Sequence, residues 1–224
     1  MSVFLDLFNA LSQQDFQVLA RKELMWALYT ILFLVIFLEN GLLPASFLPG
    51  DSLLLLTGTL IAQGALHYPG VLLVLTVASA LGGWLSFAQG RWLGNTKLVQ
   101  GWLEQLPPHY HQRAELLFNR HGLSALLVAR FLAFIRTIMP LIAGLSTLQN
   151  RRFQLFNWLS GFIWISSIVT VGYLLASTPL FRHYEHYIMQ FLMLLPLVLL
   201  ISGGAGAVFV VVRKKLKNRQ DFKR

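Results

Sequence analysis

Residues 37–52 read FLENGLLPASFLPGDS, an apolar run broken by Pro44, Pro49 and Gly50 and bracketed by the acids Glu39 and Asp51. A stretch this apolar must be buried, yet it cannot be one plain helix. Proline removes a backbone donor and breaks the helix, and a charge is costly in hydrocarbon. The wider segment 41–64 therefore splits into two arms of about ten residues. At about 1.5 Å per residue, each arm reaches about half of a hydrocarbon core about 30 Å thick. The economical reading is a re-entrant hairpin that returns to its own side, with its broken backbone facing protein or water.

Working outward, 122–148 repeats the design with Arg130, Arg136, Pro140 and Gly144 inside an apolar stretch. It reads as a second hairpin, broken at Pro140 and Gly144 as the first is at Pro44, Pro49 and Gly50. Full spans need about 20 apolar residues. Segments 69–92, 153–177 and 187–212 meet that length, and 24–39, between Arg21–Lys22 and Glu39, is short but adequate. Before them, Asp6 and Asp15 argue against a cleavable signal peptide. Phe4, Phe8, Leu11 and Val18 stand at helical spacing, which suits an amphipathic helix over 1–22 lying on a membrane surface.

Composition agrees. Of 224 residues, 56% are hydrophobic and 12% charged, with a mean hydropathy of +0.62, far too little charge to cover a soluble domain. The net charge of +9 would suggest nucleic acid in a soluble protein. Here the basic residues gather at segment ends and in the tail 213–224, where Lys and Arg mark cytoplasmic loops. With that tail cytoplasmic and neither hairpin crossing, Arg151–Arg152, the basic loop 95–121 and Arg21–Lys22 all fall on the cytoplasmic side. A full span at either hairpin would break that pattern. The expected fold is an all-α polytopic membrane protein in a single domain. It is an inverted repeat, 24–92 and 97–177, with two opposed re-entrant hairpins, about four transmembrane helices, and both termini cytoplasmic.

The chemistry sits in four charges. Glu39 and Asp51 are the acids of the apolar regions, and a carboxyl group in a low-dielectric site can hold and release a proton near neutral pH. Both are candidates for proton coupling; the plainer alternatives are that Glu39 ends its helix and Asp51 caps a helix beginning at Ser52. Arg130 and Arg136 are candidates for substrate binding, because guanidinium stays charged and grips carboxylate or phosphate with two bonds. They face either the two acids or an anionic substrate, although Arg130 has the option of snorkelling to the interface. Together the four form a compensated set. A substrate phosphate can displace a carboxylate from an arginine, and the freed carboxylate can take the proton.

Other features read as structure. Gly82–Gly83, Gly90 and Gly94 suit close helix packing, with Arg91 at the cytoplasmic end of its span. Asn157, Trp158, Gly161, Trp164, Gly172 and Tyr173 suit packing with interfacial aromatics. His109 and His111, with Glu104, Glu115 and His121, match no metal-ligand spacing. No phosphate-cradling glycine loop or nucleophile triad occurs, and the absence of cysteine excludes disulfides and thiolate chemistry. Neither an enzyme nor a cofactor is expected, and the small-residue faces permit a homodimer.

Several of these residues carry a resemblance. The run Phe37-Leu38-Glu39-Asn40-Gly41 through Phe47-Leu48-Pro49-Gly50-Asp51-Ser52, Gly90-Arg91 with Gly94, His121-Gly122, Arg130-Phe131 and Arg136 with Pro140, Ala143 and Gly144 resemble the DedA family. So do Phe153, Asn157, Trp164 and Gly172-Tyr173, and the likeness extends from about 24 to 176. The tracts Gln89–Thr96 and His109–Ala114 are similar to one subgroup of it. The resemblance implies a bacterial inner membrane protein with two opposed hairpins and important charges at Glu39, Asp51, Arg130 and Arg136. It also implies roles in envelope integrity, pH and drug tolerance, membrane potential and lipid traffic, including return of undecaprenyl phosphate to the cytoplasmic leaflet. The expected function is therefore a lipid-phosphate translocase, driven in part by protons. The alternatives are a proton-coupled antiporter for a cation or drug, and a non-transporting organiser of envelope assembly.

Overall fold

A computed structural model describes residues 22–93 and 124–178, less 46, 47, 133, 134, 146 and 147, together with Tyr187, Phe191, Leu194 and Val198. The proposed surface helix 1–22 (apart from Lys22), the histidine loop, the helix 187–212 (apart from four residues) and the basic tail lie outside the described residues.

The regular structure among the described residues is entirely helical. Helix α1 is Lys22–Gly41, α2 Gly50–Ala62, α3 Tyr68–Leu93, α4 Ala125–Ala129, α5 Ile135–Leu145 and α6 Asn150–Ala176, with a 3-10 turn at Leu43–Ala45. Three of them, α1, α3 and α6, are long and apolar enough to cross a membrane. They match the sequence segments to within three residues at either end. Helices α2 and α5, of 13 and 11 residues, are too short; at about 1.5 Å per residue they extend roughly 20 Å and 16 Å.

The two interrupted stretches are not pairs of equal arms. In the first, α1 continues past Glu39 to Gly41, a short 3-10 turn follows at Leu43–Ala45, and α2 runs over Gly50–Ala62. Pro49 precedes α2, where a missing N–H costs nothing, and Gly50 opens it. In the second, the break falls at Arg130–Leu132, where Phe131 N–H donates to the Val128 carbonyl and Leu132 N–H to that of Ala129. Pro140 and Gly144 do not break the chain as expected. Both lie inside α5, where Pro140 removes only the bond that residue 140 would donate back to residue 136. Capping by Asp51 also fails: the helix starts at Gly50, Asp51 lies within its first turn, and no side-chain cap is formed.

Packing is reciprocal. Helix α2 lies on the later half of α6, and α5 lies on the later half of α3. Each crossing is a glycine pair. A Cβ on Gly58 would overlap the Val169 carbonyl and one on Gly172 that of Leu55; a Cβ on Gly90 would overlap the Leu141 carbonyl and one on Gly144 that of Phe87. Removing the Cβ lets backbones touch, the usual solution where lipid supplies no hydrophobic drive. Two apolar clusters result. Leu54, Leu60, Val71, Leu75, Ile165 and Val169 belong to one, and Phe87, Ala129, Ile138, Leu141 and Phe153 to the other. The Phe87 and Phe153 rings stack at 4.2 Å in the second.

The polarity of the molecule is inverted. Glu39, Asn40, Arg130, Arg136 and Asn157 are buried, while Trp26, Leu34, Leu73, Leu155, Phe162 and Leu174 are exposed. Water would penalise such a surface; hydrocarbon would not.

Candidate functional site

All four charged residues singled out above converge where the ends of the short helices meet the long ones. Glu39 is near the end of α1, Asp51 in the first turn of α2, Arg130 just after α4 and Arg136 in the first turn of α5. The helix break after Ala129 separates the two arginines onto the end of α4 and the start of α5.

Arg136 holds both acids. Its Nη1 donates to Asp51 Oδ1 at 2.7 Å and its Nη2 to Glu39 Oε1. The two partners differ in access: the Glu39 side chain is wholly buried, whereas that of Asp51 is 48% exposed. The Trp164 ring lies 4.7 Å from Arg136 Cζ, a cation–π contact that steadies the guanidinium plane. Glu39 Oε2 has no hydrogen-bond partner. It lies against Gly50, where any Cβ would overlap it. A side chain at residue 50 would therefore have to displace that carboxyl group.

Arg130 is handled differently. Although only 3% exposed, it pairs with no carboxylate among the described residues. Its Nε donates to Ser160 Oγ at 3.3 Å; Nη1 donates to Asn40 Oδ1 at 2.7 Å and Ser79 Oγ at 2.6 Å. Nη2 donates to Asn157 Oδ1 at 2.5 Å and to the Asn157 carbonyl at 3.4 Å. All five donors of the guanidinium thus meet neutral oxygens from α1, α3 and α6. Asn157 is itself fixed, since its amide donates to the Ala80 carbonyl at 2.8 Å. Gly83 and Gly161 leave the room, with Arg130 Nη2 close to where either would carry a Cβ. The snorkelling alternative for Arg130 does not hold.

Sequence reasoning missed this cage. Asn157 and Trp164 read as packing, Asn40 as part of a motif, and Ser79 and Ser160 were not singled out. A signal existed. Asn157, Ser160, Gly161 and Trp164 follow the 3–4 residue spacing of one helix face, so α6 carries a polar and small stripe pointing inward. The glycine expectations hold at Gly82, Gly83, Gly90 and Gly172; Gly94 lies outside the described residues. Arg91, in the last turn of α3, is exposed beside Trp92. Among the described residues no group of acids and histidines could hold a metal.

Comparison with known proteins adds the following. The model of the VTT domain matches residues 48–174. Inner membrane protein YqjA of Escherichia coli K12 is 58% identical over 219 residues, covering 98% of this chain and 100% of the relative. Inner membrane protein YghB of Salmonella typhimurium is 54% identical over 218 residues, covering 97% and 100%. Protein DedA of Escherichia coli K12 is 28% identical over 154 residues, covering 68% and 70%. No solved structure matches the chain.

Proposed function

We propose that this chain, which belongs to the DedA family of VTT-domain membrane proteins, is a multi-pass inner-membrane transporter that moves a lipid phosphate, undecaprenyl phosphate, between leaflets. One observation carries the reading: a single buried arginine, Arg136, binds one enclosed acid and one acid open to the surroundings.

That asymmetry supports an exchange. A phosphate headgroup entering from the open side takes Nη1 of Arg136 from Asp51, because a phosphate oxygen satisfies the same charge-assisted donor. Proton uptake at the site then offsets the charge the phosphate brings, so the buried interior gains no surplus negative charge. Glu39 keeps Nη2 and holds the guanidinium in place. The prenyl tail stays in lipid throughout. Each passage then carries a proton, which links transport to the proton motive force and serves envelope integrity. Arg130 supplies the second positive charge of the site.

In this reading 41–64 and 122–148 are re-entrant hairpins entering from opposite sides, and both termini face the cytoplasm. The short lengths of α2 and α5 and their reciprocal packing on α6 and α3 support an inverted repeat of the kind found in secondary transporters.

A second reading, a proton-coupled antiporter for a cation or small drug, is favoured by the meeting of two carboxylates on one arginine, since a cation can replace that arginine. Arg136→Lys separates the two. Holding Glu39 and the phosphate at once requires the planar fork, so phosphate recognition should fall at least about tenfold in that variant, whereas simple charge compensation should largely survive.

The primary test reconstitutes the purified protein in liposomes. It measures undecaprenyl phosphate movement between leaflets with and without a pH gradient, against Arg136→Ala. Flux that requires the protein, responds to the gradient and is lost in the variant is the expected result. Absence of lipid flux, with proton movement driven by an imposed cation gradient, would transfer the assignment to the antiporter.

A further inference from the structure

A buried arginine ordinarily receives a carboxylate, because an unpaired charge in a low-dielectric interior is expensive. Arg136 obeys that rule twice over. Arg130, equally buried, receives four neutral residues on two long helices and the end of a third: Asn40 on α1, Ser79 on α3, and Asn157 and Ser160 on α6. Every donor is satisfied, so the guanidinium is fixed in place and desolvation is partly offset, yet its charge is not cancelled by any contact. Having no free N–H, it does not offer itself as a ligand. Its charge still acts at a distance on whatever anion reaches Arg136.

We propose that Asn40, Ser79, Asn157 and Ser160 are a neutral cage whose role is to keep the positive charge of Arg130 uncompensated. Arg130 then attracts the substrate's phosphate through its field while Arg136 makes the contact. The inference rests on the lipid-phosphate reading and deepens it, because it divides the work of the two arginines. Arg130 and its cage are positioning residues under this assignment, and Arg136 is the ligand.

Asn40 offers the sharpest test. Asn40→Asp keeps an oxygen for Arg130 Nη1 and adds the missing negative charge. Its amide otherwise donates only within its own helix, to the Ile36 carbonyl at 2.8 Å. Asn40→Ala removes the oxygen and adds no charge. Binding of a short-chain prenyl phosphate and of inorganic phosphate is measured on the full-length protein in detergent, alongside thermal unfolding.

The expected order is that Asn40→Asp weakens prenyl phosphate binding on the order of tenfold while its unfolding temperature stays at or above that of Asn40→Ala. That size corresponds to one unit charge acting across about 10 Å at an effective dielectric of about 20. Asn40→Ala should lose less affinity and more stability. A cage that is merely a mechanical clamp gives the reverse order, with Asn40→Asp binding as tightly as the unsubstituted protein, and that result overturns the inference while leaving the transport reading intact. If the unsubstituted protein binds neither probe, the lipid-phosphate reading fails and the inference falls with it. Inorganic phosphate competing as well as the prenyl phosphate would support a site that reads the headgroup alone. Should Asn40→Asp not fold, Asn157→Asp adds the same charge from α6 and is read in the same way.

Discussion

Glu39 owes its place to a missing side chain as much as to its arginine. Its unbonded oxygen lies where a Cβ on residue 50 would stand, so Gly50→Ala must push the carboxyl group, α2, or both. Overpacking of this kind costs about 1–3 kcal/mol. Gly50→Ala is expected to lower stability by that amount in detergent unfolding, and to lower flux by disturbing the Glu39–Arg136 contact. An unchanged unfolding curve would mean that the carboxyl group has room elsewhere. At this scale the sequence was informative about charge and silent about company. Four charges in apolar surroundings are conspicuous in any reading of the chain. That one arginine takes both acids and the other takes only amides and hydroxyls was not legible, because Asn40, Ser79 and Asn157 become partners only when three helices that are distant in sequence meet.

The helices cross through glycines, Gly58 with Gly172 and Gly90 with Gly144. Both pairs bring backbone against backbone, so neither tolerates a methyl group without separating its helices. Gly172→Ala and Gly90→Ala are each expected to cost about 1–3 kcal/mol, measured by denaturant unfolding in micelles. The two crossings share no residue, so the double variant should lose the sum of the single losses to within about 0.5 kcal/mol. Marked departure from additivity would mean that the crossings form one cooperative unit. The existence of the elements was readable from apolar length alone, and the long helices fall close to the expected segments. Their internal breaks were read less well. Pro140 marks a break in the sequence but sits inside α5, because an apolar helix held on α3 survives the loss of one backbone bond, while the helix break at Arg130–Leu132 carries neither proline nor glycine.

Across the whole molecule, the unsubstituted chain contains no cysteine, which makes its orientation directly measurable. His67, between α2 and α3, and Gln149, just before α6, are both exposed. With non-crossing hairpins, His67→Cys should react with an impermeant maleimide from the periplasmic side, and Gln149→Cys only after the inner membrane is opened. Labelling of both from one side would overturn the opposed-repeat arrangement. The sequence by itself determined that the chain is built for an apolar environment, which stretches are too short or too broken to cross it, and which four charges must be accounted for. These are properties of composition and local spacing, set by the cost of exposing backbone and charge to hydrocarbon. Only the tertiary structure decided how those charges divide. Pairing depends on which helix ends meet in space: the packing of α1, α2 and α5 against their neighbours brings Glu39 and Asp51 to Arg136, while Asn40, Ser79, Asn157 and Ser160 surround Arg130.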